Sequence, residues 1–162
     1  MANPEFKINF RSASVKSTKL SSSRGRTRSK PRDNPSLLDR ANDWKCLVDF
    51  DGNNIVFPPH ICATSDRPDI IIYSNLAKFV ILIELTCPAE EFIEAAAIRK
   101  VARYMDLSGL IRDNGWEVLT MTIEVGCRGF VAHSVRKCLN KLGFSNSACT
   151  RICRNLSNVA SR

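Results

Sequence analysis

The chain has 162 residues, of which 44% are hydrophobic and 25% charged, with a formal net charge of +8. That length suits one domain with a real core, and the balance is that of an ordinary globular protein rather than a low-complexity one. No run approaches the roughly 18 apolar residues of a membrane span, and the first residues lack the apolar stretch of a signal peptide, so the chain is expected to be intracellular with no membrane partner.

The charge is uneven. Residues 1–33 hold nine Lys or Arg against Glu5 and Asp33, a balance of +7, whereas the remaining 129 residues hold 15 basic and 14 acidic groups. On this reading the basic character belongs to a tail. Residues 1–42 are rich in Ser, Arg and Lys, centred on 21–32, and such a stretch buries too little apolar surface to offset its ordering entropy. It is expected to be a disordered basic tail. It reads as a linker, or as an arm for the phosphates of DNA or RNA and a nuclear-import signal.

The seven cysteines are odd in number and scattered, with only Cys149 and Cys153 at a one-turn helical spacing. They read as reduced thiols in a reducing compartment. A zinc site is the other reading, to which His60 and His133 add little.

The folded part is expected from about residue 43. Residues 46–50 and 54–57, joined through Asp51-Gly52-Asn53, have the pattern of a hairpin that Pro58-Pro59 ends. Two strongly apolar strands follow at 69–73 and 79–84, turned by Ser74-Asn75. Pro88 precedes a helix over 89–114, with Glu90, Glu91 and Glu94 near its positive end and Asn114-Gly115 at its close. A strand over 116–125 and helices over 130–142 and 145–160 complete the chain. The expectation is an α/β or α+β fold, a central mixed sheet of about five strands flanked by helices.

The two apolar strands each carry one carboxylate, Asp69 where the first begins and Glu84 where the second stops. Five consecutive apolar residues predict a strand buried on both faces. A carboxylate on such a strand is costly to desolvate unless it is paired or binds a metal. Two on neighbouring strands are minimal equipment for a hard divalent cation, Mg²⁺ or Mn²⁺. On the following helix, Ile93, Ala96, Ala97, Tyr104, Leu107 and Ile111 fall in one stripe, with Lys100 inside it. A lysine there either snorkels to solvent or meets an anion: Asp69, Glu84 or a bound phosphate.

Pro68-Asp69, fourteen residues, then Glu84-Leu85-Thr86 resembles the PD-(D/E)XK restriction-endonuclease-like superfamily. The string Arg67-Pro-Asp69, Ile83-Glu-Leu-Thr-Cys-Pro88 and Arg99-Lys100-Val-Ala-Arg-Tyr104 is similar to the restriction-like endonuclease domain of non-LTR retrotransposons and its derivatives in animal genomes. The resemblance covers roughly residues 66–130. It implies a restriction-endonuclease-like core, Mg²⁺ held by Asp69 and Glu84, and hydrolysis of DNA phosphodiesters. The superfamily's usual lysine lies two residues after the Glu, where this chain has Thr86. The retroelement-like branch carries its lysine on the next helix in a KxxxY arrangement, which Lys100 and Tyr104 match. Lys100 would then support the attacking water and the scissile phosphate, and Tyr104 would position Lys100. The alternatives are a decayed nuclease fold that binds nucleic acid without cutting it, or an inactive fragment, since Thr86 departs from the pattern and the chain ends at Arg162 without a stop signal for its final helix.

Other residues have plainer explanations. Glu124, ending its strand, is a candidate further ligand but fits a solvated carboxylate better. His60 and His133 read as surface or capping groups. Gly126-Cys-Arg-Gly129 is short for a phosphate cradle and suits a turn. Arg128, Arg136, Lys137, Lys141, Arg151 and Arg154 suit either nucleic-acid backbone or simple solvation of amphipathic helices.

Overall fold

The computed structural model describes residues 36–49, 55–89, 98, 102 and 104–161. Four strands, β1 (Lys45–Val48), β2 (Ile70–Ser74), β3 (Phe79–Thr86) and β4 (Glu117–Glu124), form one sheet in that order. The first three run as an antiparallel meander, and β4 pairs with β3 in parallel. A parallel partner requires a crossover, and helix α1 (Met105–Asp113) lies within it. Helices α2 (His133–Lys141) and α3 (Asn146–Ala160) follow β4. The fold is therefore mixed α/β, a four-stranded mixed sheet flanked by helices.

The expected strand at 54–57 is corrected. Residues 55–57 carry no strand pairing, and β1 pairs with β2 instead, Lys45 opposite Tyr73 and Val48 opposite Ile70. Pro58 and Pro59 follow at once and offer no ladder N–H. Ile55 and Phe57 are nonetheless buried, contributing side chains to the core without backbone to the sheet. The turn at 51–53 lies outside the described residues.

Burial on both faces of β3 follows from strand parity. Val80 and Leu82 point into a core with Ile71 and Tyr73 of β2, Leu107 and Ile111 of α1, and Trp116. Phe79, Ile81 and Ile83 point the other way, against Trp44, Cys46, Met121 and Cys138. A third, smaller cluster joins α2 to α3 through Val135, Leu139 and Cys149.

The ends of elements follow local chemistry. Asn114 and Gly115 close α1 as expected: Gly115, at φ +76°, donates to the Arg112 carbonyl (2.9 Å) and Trp116 to the Ile111 carbonyl (3.2 Å). That is a Schellman-type stop, with Trp116 and Ile111 in one core. Residues 36–42, expected in the disordered tail, are structured. Ser36 and Asp39 form a capping box on a short 3-10 helix, Leu37–Arg40, whose Leu37 and Leu38 pack on the second core. The rest of the basic tail lies outside the described residues. No helix among the described residues is long and apolar enough to cross a membrane.

Candidate metal and phosphate site

The β2–β3 register sets Ile70 opposite Ile83. One step further along the same register stands Asp69, opposite Glu84. Parity puts both side chains on the face shared by Ile71, Leu82 and α1. Glu84 is only 3% exposed and Asp69 is half-buried. Like charges directly opposite in an antiparallel pair repel, and burial worsens the cost, so this geometry favours a positive charge between them.

Backbone donors hold the pair in place. The Leu85 N–H donates to Asp69 Oδ2 (2.7 Å), and the Asp69 N–H reaches toward Glu84 Oε2 (3.4 Å). On its other side, the Asp69 carbonyl accepts from the Asp49 N–H (3.0 Å), which ties it to the end of β1. Each carboxylate is thus oriented by the other's strand.

Tyr104 is 1% exposed, and its hydroxyl donates to the Arg67 carbonyl (3.3 Å). It fastens the start of α1 to the segment that delivers Asp69. A contact with Lys100 cannot be read there, because Lys100, with Glu90, Glu91, Glu94, Arg99 and Arg103, lies outside the described residues. Of the predicted stripe, Tyr104, Leu107 and Ile111 are described, and all three are buried in the core under the carboxylates.

The donor set fits a hard cation. Two carboxylates supply oxygen ligands, and Mg²⁺ commonly takes one or two such groups and completes its shell with water and substrate phosphate. No group of three or more His, Cys, Asp or Glu is placed to hold a metal among the described residues, which leaves the zinc reading without a site there. The seven cysteines are free thiols, four of them buried. Burial pushes Cys46 and Cys138 up to about 11, as expected of inert core thiols. His60 is exposed, bonded to Asn75 (3.0 Å) and edged against Trp116, and caps no helix.

Thr86 follows Glu84 on the same face and sits opposite Glu124 of β4. Glu124 corrects its own prediction. It is 2% exposed rather than solvated, accepts from the Ser134 hydroxyl through Oε2, and leaves Oε1 buried without a hydrogen-bond partner among the described residues. Its place in the closing β3–β4 register, facing Thr86, was invisible in a sequence where it simply ended a strand. Gly126-Cys-Arg-Gly129 is a turn, closed by Gly129 N–H to the Gly126 carbonyl (2.8 Å).

No family model matches this chain, and comparison with characterised proteins and with solved structures finds no significant match. The functional reading therefore rests on the residues themselves.

Proposed function

We propose that the chain is a Mg²⁺-dependent, restriction-endonuclease-like domain, derived from a retroelement, that hydrolyses DNA phosphodiesters. The observation that carries this reading is the pairing of Asp69 with Glu84 across neighbouring strands, on one half-dry face of the sheet. Mg²⁺, when bound, would polarise a phosphoryl oxygen and make water a better nucleophile. Asp69 and Glu84 would hold the cation by their oxygens, and the backbone N–H groups of Leu85 and Asp69 orient those carboxylates beforehand. Tyr104 holds the Arg67 carbonyl, so the turn into Asp69 keeps its position as substrate enters. Lys100 is assigned the stabilisation of negative charge on the phosphate. The same reading assigns the chain to the nucleus, with the basic segment 21–32 as the import signal.

The test is metal-dependent nicking of supercoiled plasmid. Wild type is expected to nick with Mg²⁺ or Mn²⁺ and not in a chelator. Asp69→Ala and Glu84→Ala are expected to lower the rate at least about 100-fold, as for other removed electrostatic groups. Lys100→Ala is expected to do the same. A second reading is favoured by Thr86, which puts a hydroxyl where the superfamily's lysine stands: a nucleic-acid-binding module that no longer cuts. A wild type inert with every metal yet binding DNA with a steep salt dependence selects that reading.

A further inference from the structure

The near-neutral charge of the folded part is a cancellation. Residues 34–124 hold 8 basic and 14 acidic groups, a balance of −6; residues 125–162 hold 7 basic and no acidic group, a balance of +7. All of α2 and α3 falls in the acid-free stretch.

Helix α2 packs beside β4 and leaves a groove of about 200 Å³. Residues 120–122 of β4 line one wall, and Ser134, Lys137 and Lys141 stand on the other. Because neighbouring strand residues face opposite ways, three in a row can line one groove only along the strand's edge. β4 is the last strand in the sheet order, so that edge has no further strand beyond it among the described residues. Lys137 and Lys141 lie one turn apart, a rise of about 6 Å, and both are exposed. No ion pair engages either lysine among the described residues. The groove therefore offers two ammonium groups without an ion pair, beside the hydroxyls of Thr122 and of Ser134, the latter already donating to Glu124. Thr122, in its wall, is the register partner of Glu84, which sets the groove one strand from the carboxylate pair.

We propose that this groove seats the sugar–phosphate backbone of DNA. Two cationic side chains one turn apart on α2, facing the hydroxyl-bearing edge of β4, match successive phosphates of a backbone laid in the groove. Thirty-eight residues without one carboxylate match a polyanion better than a short acidic peptide. The inference rests on the nucleic-acid substrate of the proposed function, and not on its catalysis.

The test is fluorescence anisotropy of a labelled DNA duplex with the full chain, titrated with salt in a chelator so that nothing is cut. Lys137→Ala/Lys141→Ala is expected to make the log–log salt slope shallower by about 1.8 and to weaken binding about 30-fold near 0.15 M salt. Lys137→Arg/Lys141→Arg is expected to bind like wild type. Arg151→Ala/Arg154→Ala removes the same charge from the side of α3 opposite its buried residues, and a loss under about threefold is expected. Equal losses from both alanine pairs, or an unchanged slope for the lysine pair, would overturn the proposal. So would polyglutamate competing as well as unlabelled DNA, which would point to an acidic protein partner. The assay reads binding alone and runs without free metal, so failure of catalysis in the nicking assay and failure of the groove here give separate results.

Discussion

The sheet with α1 and the α2–α3 layer are built on opposite terms. In the sheet, β3 is buried on both faces, and the surplus charge of its half of the chain is negative. In the C-terminal layer, the shared core is three buried residues with partly buried neighbours, and every formal charge is positive. Dense two-sided packing can hold two carboxylates face to face, because backbone geometry and not charge sets their positions. A thin layer of like charges repels itself and is best stabilised by an anion it binds. The contrast teaches that the rigid half suits chemistry and the cationic half suits docking.

Leu82→Ala empties a site 1% exposed at the centre of the sheet and is expected to cost about 2–5 kcal/mol in denaturant unfolding. If the cost matches that of an equivalent change at Leu139, the two halves are equally packed and the contrast fails. The thiols Cys46 and Cys138 keep their protons longer folded than unfolded. Their contribution is complete below pH about 8.5, the unfolded value, and is lost as pH rises through about 11. Each is worth on the order of 3 kcal/mol across that window, and Cys46→Ala/Cys138→Ala should flatten alkaline melting curves.

Gly129 sharpens the comparison from the other side. It holds φ +89°, and a Cβ there would lie 2.7 Å from the Ser157 carbonyl oxygen of α3. Gly129→Ala is expected to cost about 1–3 kcal/mol and to speed amide exchange in α3 while leaving β3 protected. Uniform acceleration would mean that the two halves open together. The smallest effect falls on the β2–β3 turn, where Asp43 accepts from the Ser74 hydroxyl and the Leu76 N–H (3.0 Å). Burial pushes the Asp43 carboxyl up, and these hydrogen bonds outweigh it and hold it below the usual carboxylate value. Its stabilisation is present above pH about 4 and is lost as pH falls through the lowered folded value. Asp43→Asn should cost about 1 kcal/mol near neutral pH and remove that part of the acid transition.

What was legible in the chain was whatever local pattern encodes. Apolar runs identify β2 and β3, alternation identifies β4, and the Gly115 stop identifies the close of α1, although the single helix expected over 89–114 is not helical at Ala89 and is interrupted by a turn at Tyr104; parity then implies the two-sided core. Residues 55–57 misled because their apolar character serves the core while the prolines after them deny the ladder. Leu37 and Leu38 were hidden by a basic, Ser-rich neighbourhood, although Ser36 and Asp39 already spelled a capping box. The facing of Asp69 and Glu84 depended on register, a property of two segments together. The positive layer is hidden in the total charge of the folded part, because the acidic surplus of residues 34–124 cancels it and the sign reverses only after Glu124.

The chain's two tryptophans sit on opposite faces of the sheet, Trp44 among the residues behind β3 and Trp116 among those beneath α1. Each is 7% exposed or less, and the Lys78 ammonium lies 4.8 Å from the Trp116 ring. Intrinsic fluorescence is therefore already divided between the two cores. With Trp44→Phe the emission reports the carboxylate-bearing face alone, and with Trp116→Phe the opposite one. Denaturation followed in the two proteins should then show whether the two faces lose their packing together.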